Sequence, residues 1–178
     1  MANRTNRLEK IYSAFAIDLR KAQTKADAKR VIQDKLVMPL DRLFPTFESF
    51  SERFVTLCFT KKDKISNVKT KYAINKLNDF YSNTEVFSNE GTIEHIIPEE
   101  DQGNTLNIGN LILLEDKLNV EAGHKDYASK CVVYEKSNYT WIKNFIAQHK
   151  QWDSSMIEIR AKEMAEVYYK EILKKKLQ

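Results

Sequence analysis

Cysteine, proline and glycine are scarce in this chain: two, three and four residues out of 178. Cys58 and Cys131 lie far apart in sequence and no CxxC pair exists, so the thiols cannot by themselves make a zinc site. Each is flanked by apolar residues, and two buried free thiols are expected. That composition suits a reducing cytoplasm. No apolar run is long enough to span a bilayer. The opening MANRTNRLEK has no apolar stretch behind its charges, which excludes a secretory signal there. Internal repeats and low-complexity linkers are absent too. What is present is 42% hydrophobic and 30% charged residues, the profile of a globular chain with a real core. The length fits one domain, or one compact domain with an appended bundle.

Net charge is +4, and its distribution is uneven. Residues 1–30 hold eight Lys/Arg against three acids, and residues 61–76 hold six Lys against one Asp. The tail adds Lys170, Lys174, Lys175 and Lys176. Between Lys76 and Lys117 there is no Lys or Arg, but there are nine acids. Basic segments attract phosphates. An acidic centre among them would repel phosphates unless it held a cation. Any one of these Lys runs, taken alone, reads better as a solvated helix face.

Most of the chain reads as helix. Leu8, Ile11, Tyr12, Phe15 and Leu19 repeat at helical spacing, and Val31, Ile32 and Leu36 do so in a second helix. Pro39 and Pro45 are expected to break the chain. Thr46 can then cap a helix with Phe47, Phe50, Phe54 and Leu57, and a fourth helix carries Val68, Tyr72, Leu77 and Phe80 or Tyr81. Later, Ser137 is expected to cap a helix with Trp141, Phe145 and Ile146. Ser155 and Glu158 form a capping-box pattern ahead of a long last helix through Ile157, Ala161, Met164, Tyr168 and Ile172. These aromatics are expected in the core.

The middle differs. All four glycines fall between Gly91 and Gly123, so irregular backbone is concentrated there. TIEHIIP, residues 92–98, is β-branched and ends in proline, which predicts a short strand. LILL, residues 111–114, predicts a second strand after a turn at Gly109-Asn110, and a helix carrying Asn119 follows from about Glu115. The fold class is therefore α+β, mostly α-helical, with a strand–loop–strand–helix unit set in a helical scaffold.

That unit holds residues suited to cutting a phosphodiester. A water must lose a proton near phosphorus, which suits a His of near-neutral pKa. Charge on the phosphate and the leaving oxygen must be neutralised, which suits a divalent cation on hard oxygen ligands. Glu94 and His95 are neighbours, so on a regular strand they point to opposite faces. Glu94 could bind the metal while His95 faces the water. Asn119 could add a carbonyl oxygen, and Asn110 could tie the loop through its side-chain amide. The plainer readings are a surface Glu-His pair and a turn-forming Asn.

The order of motifs is more specific than any one of them. TIEHIIPE, then IGNLILL, then LN with Gly123 and Lys130, resembles the HNH domain at the C-terminus of GmrSD-type modification-dependent restriction endonucleases. TFESFSERF and YAINKLNDFY upstream, and VYEKS and QWDSSMIEIRAKEMA downstream with Trp152, Ile157 and Arg160, also fit. The resemblance covers residues 44–168. It implies a ββα-metal (HNH) fold, DNA as the substrate and Mg²⁺ or Mn²⁺ as the cofactor. It makes His95 the general base, Glu94 and Asn119 the metal ligands, and Asn110 the middle Asn of the motif. Asp is commoner in the class than Glu94, and His is commoner than Asn119. An Asn in that last place resembles the HNH domain of RNA-guided CRISPR nucleases. His124, five residues on, is the other candidate ligand, and Lys130 is either a phosphate contact or a surface lysine. The expected domains are N-terminal helices over 1–43 and a nuclease domain over 44–178, as one compact unit. Family members carry a nucleotide-using sensor domain; no phosphate-binding loop is found here, so any such sensor would be a partner absent from this chain. The resemblance implies a restriction or anti-phage nuclease. The alternative is a non-cleaving DNA- or protein-binding helical module with a remnant motif.

Overall fold

The computed structural model describes residues 2–60, 67–82, 91–99 and 104–177. Three of the six lysines of the 61–76 run, Lys61, Lys62 and Lys64, and also Gly103 lie outside the described residues. By internal contacts the chain divides into two compact units, Met1–Pro45 and Thr46–Gln178.

The first unit holds α1 (Ala2–Lys21), α2 (Lys25–Val31) and α3 (Met38–Arg42). Thr24 caps α2 by accepting from the Asp27 N–H. Pro39 does not break the chain as expected. A π-helical stretch, Ile32–Val37, joins α2 to α3 without interruption, and Met38 N–H reaches back to Gln33 O. Pro39 then sits in the first turn of α3, directly after the π-helical stretch. The helical path ends only at Leu43–Pro45.

In the second unit, Thr46 caps α4 (Phe47–Phe54) as expected, accepting from Ser49 N–H at 3.4 Å. The next helix is α5 (Asn67–Ser82). Its buried stripe is Thr70, Ala73, Ile74, Leu77 and Asn78, while Val68 and Tyr72, expected in the core, are exposed. The reason is angular: five residues from Tyr72 to Leu77 turn the helix about 140° past one full turn, onto another face. Then come β1 (Thr92–His95), a 3₁₀ turn at Ile108–Asn110, β2 (Leu111–Leu114) and α6 (Asp116–Ala122). β1 and β2 pair antiparallel, with Glu94 opposite Ile112 and His95 opposite Leu111. All four residues of β2 are buried, because helices cover both faces of this small sheet.

Three helices follow: α7 (Tyr127–Tyr134), α8 (Thr140–Gln148) and α9 (Ser154–Val167), the last running into a π-helical turn, Tyr168–Ile172. The α7 helix has no counterpart in the sequence reading. Asp126 caps it through Ser129 N–H. The α9 cap is Asp153 and not the expected Ser155, since Asp153 accepts from both the N–H and the hydroxyl of Ser155. Near α8, Ser137 Oγ accepts from Tyr139 N–H one residue before the helix starts. Both cysteines are free thiols. Contrary to expectation, Cys58 is exposed and Cys131 only half-buried. Cys58 lies in an extended segment that bridges to Asn107, and it is the backbone there, not the thiol, that is tied to the core. Among the described residues no helix is long and apolar enough to cross a membrane.

One packing contact sets the position of the β1–β2 connection. Gly109 lies so close to α9 that a Cβ would fall 1.9 Å from Ile157 O. From α9, the buried Arg160 donates through Nη1 to Gly109 O (2.7 Å) and Leu111 O (2.9 Å), gripping the carbonyls on either side of Asn110. The rings of Trp141, Phe145 and Trp152 surround the guanidinium at 5.3, 4.8 and 5.8 Å. Burial lowers the Arg160 pKa to about 10, which still leaves it a cation at neutral pH.

Candidate functional site

Glu94 and His95 end β1, and Asn119 on α6 is tied to the same strand through Thr92 Oγ1 and Ile93 O. The three are 4%, 3% and 9% exposed, so Glu94 and His95 are not a surface pair. The two strand residues face different neighbours, as alternation along a strand requires. Glu94 is engaged from α7. His95 is engaged by the extended segment before α5: its Nε2 lies 3.0 Å from Phe59 O, and its ring lies 6.0 Å from the Phe59 ring.

A carbonyl oxygen can only accept. Nε2 therefore carries a proton, and in the neutral ring the lone pair is on Nδ1. Phe59 O is itself held in place. Phe59 N–H donates to Leu106 O (2.9 Å), and Ile108 N–H donates to Leu57 O (2.8 Å). Asn67 clasps the next residue, accepting from Thr60 N–H at 3.0 Å and donating to Thr60 O. The Thr70 hydroxyl donates to Cys58 O at 2.7 Å. One end of α5 thus fixes the carbonyl that orients His95.

Asn119 donates through Nδ2 to Thr92 Oγ1 and to Ile93 O, both at 3.0 Å. This leaves Oδ1 as its remaining acceptor, with no bond from a described residue. Glu94 takes two donors on one oxygen: Lys130 Nζ at 2.6 Å and Tyr134 Oη at 3.0 Å, both to Oε1. No described residue bonds to Oε2. Burial and the adjacent Glu94 carboxylate push the Tyr134 phenol well above its ordinary pKa, so it stays a donor.

Lys130 is not on the surface. It is fully buried, and it also donates to His95 O. Asn110 is fully buried as well. Its Nδ2 donates to Ile97 O and Thr105 O, both at 2.8 Å, while its Oδ1 accepts from Ile97 N–H (2.9 Å) and Trp152 Nε1–H (3.3 Å). Its amide thus ties the loop after β1 to the 3₁₀ turn before β2. His124 stands apart, exposed just beyond the end of α6 at Gly123, whose φ is +51°.

Glu94 Oε2 and Asn119 Oδ1 are the oxygens of these two side chains that take no bond from a described residue. Among the described residues no three His, Cys, Asp or Glu side chains cluster as a metal site. One carboxylate and one amide oxygen nonetheless fit Mg²⁺ or Mn²⁺, since Mg²⁺ keeps several waters and takes few protein ligands.

The sequence reading missed Phe59 O, Asn67 and Tyr134. A signal existed for Tyr134: it lies four residues after Lys130, within an apolar run headed by the capping residue Asp126.

Comparison with known proteins gives one match. The family model for GmrSD restriction endonucleases, C-terminal domain, matches residues 44–167, well over half of the chain. No curated protein and no solved structure matches.

Proposed function

We propose that this chain, which belongs to the family of GmrSD restriction endonuclease C-terminal domains, is a DNA endonuclease of the HNH type that works with one divalent cation. The observation that carries the reading is the convergence of Glu94, His95 and Asn119 on one hairpin and its following helix. His95, on that hairpin, has its Nε2 tied to the Phe59 carbonyl, which fixes the orientation of the ring.

In this reading Nδ1 of His95 takes a proton from a water. The water oxygen attacks phosphorus, the phosphorus bond to the departing sugar oxygen breaks, and that oxygen gains a proton from solvent. The bond from Nε2 to Phe59 O holds the ring in place and supports the charge it gains. Glu94 Oε2 and Asn119 Oδ1 would hold the cation, which neutralises charge on the phosphate and the leaving oxygen when bound. Asn110 keeps the loop in place and touches no reactant. Lys130, being enclosed, acts on Glu94 and not on a phosphate of the DNA. His124 stays outside this set.

The test is plasmid nicking by the purified chain with Mg²⁺ and with EDTA. We expect nicking only with the cation. Asn119→Ala should raise the half-saturating Mg²⁺ concentration by at least about tenfold, a loss seen even for outer-shell partners. Equal nicking in EDTA, or an Asn119→Ala variant with an unchanged Mg²⁺ profile, would remove Asn119 from the metal site.

DNA affinity should also fall steeply with salt. With six or more phosphate contacts, the loss between about 50 and 200 mM salt is roughly 10³ or more. Exposed candidates include Arg20, Lys21, Lys25, Lys29 and Arg30 in the first unit and Lys69 and Lys71 on α5. Fluorescence anisotropy on a short duplex reads this directly, and a flat salt profile would exclude a phosphate-dominated grip.

A further inference from the structure

We propose that Lys130 is a built-in counter-cation that keeps Glu94 neutralised, so the free protein holds a divalent cation weakly and binds it tightly only together with a DNA phosphate. This rests on the reading of Glu94 as a metal ligand.

Lys130 is completely enclosed. A buried ammonium needs a carboxylate and further hydrogen bonds to offset lost hydration. Here it has Glu94 Oε1 at 2.6 Å and the carbonyl of His95. Tyr134, one helical turn later on α7, donates to the same Oε1. The two donors therefore fix the carboxylate by one oxygen and leave the other for coordination. This positions the ligand, and it also spends its charge. Glu94 and Lys130 sum to zero, Asn119 is neutral, and among the described residues no three His, Cys, Asp or Glu side chains group as a metal site. Hard-cation affinity follows the charge of the ligand set, so a cation entering this site meets little net attraction. A DNA phosphate brings negative charge to the same place. Cation and substrate then bind each other's site more tightly, with the same coupling in both directions. The ion that activates water is thus held firmly only when there is a phosphate to cut.

Direct Mn²⁺ binding tests this without reading activity. The free-ion electron paramagnetic resonance signal is followed as the DNA-free protein is titrated. Lys130→Met should bind Mn²⁺ about tenfold or more tightly than the parent, because the nearby positive charge is gone. Tyr134→Phe keeps the charge pair and should stay within about fivefold of the parent. Mn²⁺ should raise the melting temperature of Lys130→Met by more than it raises the parent's. If Lys130→Met does not fold alone, Lys130→Gln, which keeps a donor toward Glu94, should show the same gain.

A folded Lys130 variant that binds Mn²⁺ no better than the parent overturns the proposal. The double variant Glu94→Gln with Lys130→Met separates the two ideas. If it loses Mn²⁺ while Lys130→Met shows no gain, Glu94 is a ligand and only the counter-cation idea fails. If it binds Mn²⁺ as well as Lys130→Met does, Glu94 is no ligand and the underlying reading fails with it.

Discussion

Replacing His95 by alanine should lower the nicking rate in Mg²⁺ by roughly 10²–10⁴, the usual contribution of a positioned general base. The sequence alone suggests that such a variant would melt like the parent. The structure changes that expectation. His95 is 3% exposed and bonds Phe59 O, so alanine removes the donor from a part-buried carbonyl at a cost of about 1 kcal/mol or more. Activity and stability should therefore both fall, and the rate must be normalised to the folded fraction. A second variant separates the two effects. His95→Gln keeps an N–H that can reach Phe59 O and has no comparable base. It should melt closer to the parent than His95→Ala does, yet remain as inactive. A glutamine variant that nicks within a few-fold of the parent would take His95 out of the chemistry.

Gly109→Ala should be the most damaging single methyl group in the domain. The new Cβ would meet Ile157 O at 1.9 Å, Ile157 C at 2.9 Å and Ala161 N at 3.1 Å. All three atoms belong to the backbone of α9, so no flexible side chain can yield. Either α9 withdraws or the 3₁₀ turn does, and each movement loosens the grip of Arg160 on Gly109 O and Leu111 O. A loss of about 3 kcal/mol or more is expected, at the upper end of overpacking effects. Urea denaturation measures it, and a loss below about 1 kcal/mol would show that α9 gives way easily. Gly123 makes a useful contrast. There φ is +51°, but a Cβ would lie 3.5 Å from Val120 O, so the site is roomy. Alanine at Gly123 meets no clash but must take up φ +51° and ψ −133°, a backbone conformation glycine alone adopts readily, at a cost of about 1–3 kcal/mol.

The elements that carry the site were readable because each has a local cause. Thr92–His95 is β-branched and closed by Pro98, Leu111–Leu114 is a short apolar run after a glycine, and Asp116–Ala122 starts where that run turns polar. The residues Glu94, His95 and Asn119 could be singled out for the same reason. Their supports could not, because each comes from far along the chain. Phe59 acts through its backbone, which no side-chain pattern reports. Lys130 looks like a polar interruption in sequence, since lysine is rarely enclosed without a partner, and that partner lies 36 residues earlier. Pro39 misled for the opposite reason: its effect depends on where in a helix it falls, and the π-helical stretch before it has no strong signature. Val68 and Tyr72 share their apolar character with Leu77 but lie on another, exposed face of α5.

The aromatic enclosure of Arg160 gives the protein an optical handle. The chain has two tryptophans, and both pack against that one guanidinium. The Trp152 indole N–H also touches Asn110 Oδ1 in the connection between the strands. Any event that loosens this connection alters the charge and polarity beside both indoles together. Intrinsic emission therefore observes the hairpin from its buried side, label-free, and a change in its colour or yield on adding DNA would show this connection responding to DNA.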